Sequence, residues 1–332
     1  MPRLNRLNHK IAQFELFMKP GAKPSKLMTL FLATRPKHLV AGAAPVIVGS
    51  CLGYATLGSF NVLLFVLALL SIILLQAGAN MANDYFDHVS GNDWANKNPT
   101  PFSGGSRFIQ QGLLSPKAML LAALAALALG CAIGVVILIL TQSLFILILG
   151  LIGVLGGFFY TANPIKLGYR MVGEFVIFLL FGLLPVYGAY YLQTQSIDAV
   201  ALVPGILVGI LIFLIILVNE FPDLAADAAV NKKTLVVVFG VPASAWIYRL
   251  ALIASFIIAI TAAALYRPMF YAGLLYLLTL PAAIGVLKAL NKDDLAKPGQ
   301  YKASQITVLV HTIGSLTLAA GFIISGLFDQ PA

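Results

Sequence analysis

The chain has 332 residues, 60% of them hydrophobic and 10% charged, with a formal net charge of +9 and a mean hydropathy of +0.94. Soluble domains carry about 25% charged and 45–50% apolar residues, so a soluble enzyme, a disordered chain and a disulfide-rich secreted scaffold are all excluded. What remains is an all-α polytopic membrane protein. The two cysteines, Cys51 and Cys131, lie far apart inside apolar runs and read as packing residues, with no metal or disulfide spacing.

In chain order, residues 1–37 form an N-terminal segment, whose first 27 residues lack the long apolar core of a cleavable signal. Leu4, Leu7, Ile11 and Phe14 recur there at helical spacing among Arg, Asn and Lys. That pattern describes an amphipathic helix on the membrane surface, or an unstructured tail. Residues 38–332 form one domain. A helix needs about 20 mostly apolar residues to cross the hydrocarbon core. Such runs occur near 38–58, 61–82, 118–140, 143–160, 172–193, 199–219, 243–265, 269–290 and 305–327, which predicts nine spans. Their closely spaced Gly and Ala suit tight helix packing, and the alternating pattern of an outer-membrane barrel is missing.

Twenty of the 21 Lys and Arg residues fall in the N-terminal segment or around the loops after spans 2, 4, 6 and 8; only Arg267 lies on the other side. Positive loops face the cytoplasm, which puts the N-terminus there as well. The positive charge is thereby topological, and nucleic acid is not an expected partner.

The acids are not scattered. Of twelve, Asp84, Asp87 and Asp93 follow the end of span 2, and Glu220, Asp223 and Asp227 follow the end of span 6. In Asn219-Glu-Phe-Pro-Asp223-Leu-Ala-Ala-Asp227, steps of four put Asn219, Asp223 and Asp227 on one helical face, drifting about 40° per step. Pro222 is expected to kink or restart that helix. In the first cluster Asn83 and Asp87 share a face, but Asp93 stands about 240° further round a continuous helix. It joins them only if the helix breaks, and Gly91 is the natural place. Clustered carboxylates beside a membrane need cations. Oxygen donors without a Cys or His set point to a hard ion such as Mg²⁺, which completes its shell with water and phosphate oxygens. Two facing clusters suit Mg²⁺ ions bridging a diphosphate; solvated acidic helix ends are the bland alternative.

Two loops on the same side supply positive groups. Ser103-Gly-Gly-Ser-Arg107 frees backbone N–H groups beside a guanidinium, and Asn231-Lys232-Lys233-Thr234 directly follows the second cluster.

These residues together resemble the UbiA superfamily of intramembrane aromatic prenyltransferases. The similarity rests on the span count, on Asn83-Asp-x-x-Asp87 and on Asn219-x₃-Asp223-x₃-Asp227. Four segments are similar to its 1,4-dihydroxy-2-naphthoate branch: Arg35-Pro36; Asn83 to Asp93; Gly104-Gly-Ser106 with Gln111-Gly-Leu113; and Tyr160-Thr-Ala-Asn-Pro164 running to Glu174. Glu220-Phe221-Pro222 departs from the commoner pattern at that place. The resemblance implies a multi-pass protein of the bacterial inner membrane that takes a polyprenyl diphosphate and a small aromatic acid. It makes Asp87, Asp223 and Asp227 the first choices for Mg²⁺, with Asp84, Asp93, Asn83 and Asn219 behind them. Arg107, Lys166, Arg170, Lys232 and Lys233 become candidates for the diphosphate or the acceptor carboxylate. Tyr160 either shields an allylic cation with its π face or packs at a helix end. Glu174 either binds the acceptor or pairs with Arg170. A 4-hydroxybenzoate or other quinone-precursor acceptor is the alternative within the superfamily. A transporter is the alternative outside it, although transporter acids sit near the bilayer midplane rather than at one mouth.

Overall fold

The computed structural model describes residues 24–292 and 295–328; the expected amphipathic helix lies outside them. A short helix α1 (Lys26–Ala33), capped by Ser25, leads to Arg35. The bundle follows as α2 (Val40–Leu57), α3 (Val62–Ser90), the one-turn α4 (Asn92–Ala95), α5 (Pro116–Thr141) and α6 (Leu144–Phe158). It closes with α7 (Gly173–Thr194), α8 (Leu202–Ala229), α9 (Leu235–Leu265), α10 (Arg267–Asn291) and α11 (Lys302–Phe328). Helix starts are set locally: Asn61, Ser115, Ser143 and Thr234 each accept a backbone N–H of the first turn through their side chains.

Eight of these helices are long and apolar enough to cross a membrane, and α6 is a shorter apolar helix in the place of the fourth expected span. Its 15 residues cover about 22 Å, less than a core roughly 30 Å thick, and turns follow from Phe159. The chain is thus an all-α, multi-pass membrane protein.

Helix α8 runs through the middle of the bundle. Of the most apolar stretch of each helix, 61% is buried for α8 and 17% for α5, so α8 carries the core and α5 meets lipid. Leu207, Leu211, Leu214, Leu217 and Phe221 of α8 anchor the main cluster. Close crossings are made by glycine: a Cβ on Gly182 of α7 would come within 2.2 Å of the Cα of Gly209 in α8.

Two expectations about helix breaks have different outcomes. Helix α3 ends at Gly91, whose φ of 83° is left-handed, and α4 restarts at once. Pro222, by contrast, does not restart α8, which continues to Ala229. Phe221 and Pro222 are buried there, and that packing outweighs one lost backbone hydrogen bond.

The loops after α3, α6, α8 and α10 gather at one end with the Arg35–Lys37 segment. Arg170 and Lys233 pair as an isolated bridge, the Lys37 ammonium reaches the Pro101 carbonyl, and the Phe102 ring meets Tyr301 at 6.1 Å. The end rich in Lys and Arg is therefore also the end that bears both acidic clusters.

Candidate active site

The break at Gly91 has the expected consequence. It turns the chain so that Asp93, only 2% exposed, comes back beside Asp84. Gly105 lies between the two: a Cβ there would be 3.0 Å from Asp84 Oδ1 and 3.2 Å from Asp93 Oδ1. Gly105 also has a φ of 70°, so the position is closed to side chains twice over. Within α3, Asn83 donates to Asp87 Oδ2 at 3.0 Å across one turn. Asn80 is occupied elsewhere, donating to the Thr34 carbonyl at 2.9 Å.

What joins the two clusters is α4. Asn92 donates to Asp227 Oδ1 at 2.8 Å, and Asn96 donates to Asp223 Oδ1 at 2.8 Å. Two amides four residues apart meet two carboxylates four residues apart, helix against helix. Sequence reading missed both asparagines, although their spacing copies that of Asp223 and Asp227.

Positive groups close the ring. Arg35 pairs with Asp84 and donates to Asn83 Oδ1. Arg107 bonds the Asp93 carbonyl, with its guanidinium 3.9 Å from the carboxylate, and Gln110 donates to Asp93 Oδ2 at 2.9 Å. Ser106 N–H reaches both Asp84 oxygens at 3.2 Å, as a glycine-freed loop allows. Lys232 stands 3.4 Å from Asp227. Burial alone would lower its pKa, but Asp227 and Asp87 hold the ammonium charged well above the ordinary lysine range. Burial first, and then Asp87 and Asp84, push Asp93 up to about 7. Desolvation leads, and the neighbouring carboxylates add to it against Arg107 and Arg35.

Tyr169 completes this wall. Its hydroxyl donates to Asp87 Oδ1 at 3.0 Å, and its ring lies under Lys166 and Lys232, at 5.0 and 5.6 Å from their ammonium nitrogens. Arg35 and Tyr169 were both visible in the sequence, inside segments that carry the resemblance, but nothing in their spacing set them apart.

Other expected residues lie differently. The Arg170 guanidinium turns to the carbonyls of Ile165 and Pro164, away from the carboxylates. Lys233 is exposed and contributes its backbone, its carbonyl accepting from Met171 N–H at 2.7 Å. Glu174 does not pair with Arg170; its Oε1 accepts from Leu235 N–H at 2.7 Å, at the start of α9. Tyr160 is half-buried among the charges of Lys232, Glu220, Glu174 and Asp227. His88 contacts Gln110 and stays at the rim.

Asp84, Asp87, Asp93, Asp223 and Asp227, with Asn83 and Asn219, offer only oxygen donors. Asn219 Oδ1 is buried and has no hydrogen-bond partner among the described residues, on the helix face it shares with Asp223 and Asp227. An orphaned carbonyl oxygen beside two carboxylates fits a hard divalent cation such as Mg²⁺. Among the described residues no three acidic, His or Cys side chains converge as a ready-made coordination sphere. The amides of Asn92 and Asn96 and the cations Arg35 and Lys232 engage the carboxylates individually.

Comparison with known proteins agrees with this geometry. The UbiA prenyltransferase family model matches residues 43–326. A 1,4-dihydroxy-2-naphthoate octaprenyltransferase of Haemophilus influenzae is 32% identical over 306 residues, 89% of this chain and 97% of the relative. A 2-carboxy-1,4-naphthoquinone phytyltransferase of Synechocystis is 25% identical, over 93% of this chain and 98% of that one. In fold, the chain is similar to a UbiA homolog from Archaeoglobus fulgidus bound to GPP and Mg²⁺, with a TM-score of 0.68 and 18% identity, covering 90% of this chain and 99% of that chain. With a family match across nearly all its spanning helices and two acidic clusters locked together at one mouth, the chain belongs to the UbiA prenyltransferase family.

Proposed function

We propose that the protein transfers a polyprenyl group from an allylic diphosphate to 1,4-dihydroxy-2-naphthoate, with Mg²⁺ as cofactor, at the cytoplasmic side of a bacterial inner membrane. The observation that carries this reading is the fastening of Asp223 and Asp227 to Asn96 and Asn92, which turns two acidic helix ends into one site. The acceptor is supported by the names of the relatives, several of which act on this naphthoate, and the donor and metal by the GPP and Mg²⁺ of the Archaeoglobus homolog.

Asp87, Asp223 and Asp227, assisted by Asp84, Asp93, Asn83 and Asn219, hold the Mg²⁺. When bound, it supplies charge that stabilises a departing diphosphate. The protein's own contribution is preorganisation: Arg107 and Lys232 are already aimed at the site, so charge developing on the leaving group meets fixed cations without reorganisation. Lys166 and Lys233 add positive charge at the rim. The prenyl tail extends into an apolar cleft between α3, α6 and α7, lined by Gln76, Ala79, Gly153, Gly157, Leu180 and Phe181. Ala79 and Gly157 lie one turn below Asn83 and Tyr160, so the cleft begins where the diphosphate site ends. Tyr160 and Tyr169 present ring faces near the carbon that becomes cationic, and Tyr169 is fixed there by Asp87. The acceptor carboxylate is drawn to Lys166 and Lys232, and Glu174 lies on the acceptor side.

The test is competition. Purified protein is given labelled polyprenyl diphosphate, Mg²⁺ and equimolar 1,4-dihydroxy-2-naphthoate and 4-hydroxybenzoate. Label in the naphthoate product alone is expected; label in the benzoate product alone overturns the acceptor assignment.

A further inference from the structure

Glu174 and Glu220 form a buried carboxyl pair that the diphosphate chemistry does not use. Glu174 opens α7, is 3% exposed, and spends Oε1 on Leu235 N–H at 2.7 Å. Glu220 lies on α8, is 6% exposed, and its carboxyl comes within hydrogen-bonding reach of Glu174. Yet Glu220 Oε2 is fully buried without a hydrogen-bond partner among the described residues. Native structures leave few such atoms, and here the neighbour is a second acid, so within the pair only a proton shared between the two carboxyls serves as donor.

The surroundings narrow the kind of donor. Lys232 is engaged with Asp227 and the Tyr169 ring, and Asn92 and Asn96 with Asp227 and Asp223. Tyr160 walls the pair on one side, its hydroxyl oxygen 3.2 Å from where a Cβ on Gly173 would sit. An anionic group is repelled by two carboxyls, whereas a phenolic hydroxyl donates one O–H and brings a ring that suits an aromatic wall. We infer that Glu220, backed by Glu174, binds a ring hydroxyl of the aromatic acceptor and so orients the ring with its carboxylate turned away, toward Lys232 and Lys166. This inference rests on the aromatic prenyltransferase reading above. It gives a role to the glutamate that departs from the commoner pattern after span 6.

Equilibrium binding separates a recognition role from a structural one. The probes are 4-hydroxy-2-naphthoate, whose hydroxyl is too far from its carboxylate to bond it, and 2-naphthoate, which lacks the hydroxyl. Wild-type protein is expected to prefer the hydroxylated compound by about ten- to a hundredfold, the range for leaving a buried acceptor without its donor. In Glu220→Leu the preference should fall to within about twofold of unity, and in Glu220→Gln, which keeps an oxygen acceptor, to an intermediate value. If the leucine variant does not fold, the glutamine variant decides alone. A preference unchanged in either folded variant, or no preference in the wild type, overturns the hydroxyl subsite. Wild-type protein that transfers prenyl to the dihydroxynaphthoate with no such preference contradicts this inference only. Failure of naphthoate to bind or to be prenylated at all contradicts the acceptor assignment and this inference with it.

Discussion

Asn92 offers the sharpest perturbation of the coupling between the clusters. Its amide is 4% exposed and gives Asp227 a 2.8 Å hydrogen bond, and Lys232 stands 3.4 Å from the same carboxylate. Asn92→Ala removes a bond to a charged acceptor, worth about 1.5–3 kcal/mol, or roughly ten- to a hundredfold in binding. Asn92→Asp keeps the shape but replaces the donor by a second carboxylate; two unit charges about 4 Å apart repel by roughly 4 kcal/mol at an effective dielectric of 20. The assay is the Mg²⁺ concentration for half-maximal prenyl transfer, with kcat/KM for the diphosphate at subsaturating Mg²⁺. Wild type should need least metal, Asn92→Ala at least tenfold more, and Asn92→Asp more again. If the isosteric aspartate matches or outperforms the alanine, Asn92 acts by filling space, and α4 does not couple the clusters through Asp227.

Three further expectations follow from particular contacts. Gly105→Ala and Gly112→Ala share the cost of a left-handed backbone, at φ of 70° and 69°, but only the first meets carboxylates, since a Cβ on Gly112 would meet nothing within 4 Å. Turnover should therefore fall at least tenfold in Gly105→Ala and stay within about threefold in Gly112→Ala, where strain of about 1–3 kcal/mol shows as lowered melting temperature; equal turnover in the two variants would show that Gly105 does not space Asp84 from Asp93. Arg170→Gln should leave both substrate KM values within about twofold, because its guanidinium serves the Ile165 and Pro164 carbonyls, and a tenfold rise in acceptor KM would show that it turns to the site. Reporter fusions near residues 195 and 267 should report the extracytoplasmic side, and those near 97 and 232 the cytoplasm; the reverse pattern would overturn the orientation.

The helices were legible because their signal is compositional: an apolar run of about 20 residues reads the same wherever its neighbours lie. The break at Gly91 was legible too, since only a break lets Asp93 join a set it is 240° away from, roughly, on a continuous helix. Asn92 and Asn96 were not, because an exposed turn with two asparagines is common and their partners lie more than 120 residues away in the chain. The pairing of Glu174 with Arg170, one of the two readings of that glutamate, fails for a related reason. Four residues apart, they would face each other on one helix, but Arg170 closes a short 3₁₀ turn while Glu174 opens α7. Pro222 shows the converse: a proline often restarts an isolated helix, but here the helix continues through a proline that is packed in the core.

The central claim is that one Mg²⁺-dependent diphosphate site is shared between the two acidic clusters. It is tested most directly by transfer of an isotope-labelled prenyl group to the naphthoate by purified, detergent-solubilised protein, with Asp87→Ala from one cluster and Asp223→Ala from the other. Each variant should lose turnover by at least a thousandfold, as expected when a group that acts as part of one unit is removed, while melting near the wild type. Chelator should abolish the wild-type rate, and Mg²⁺ should restore it. Transfer persisting in excess chelator, or near-normal rates in either variant, would contradict the shared site.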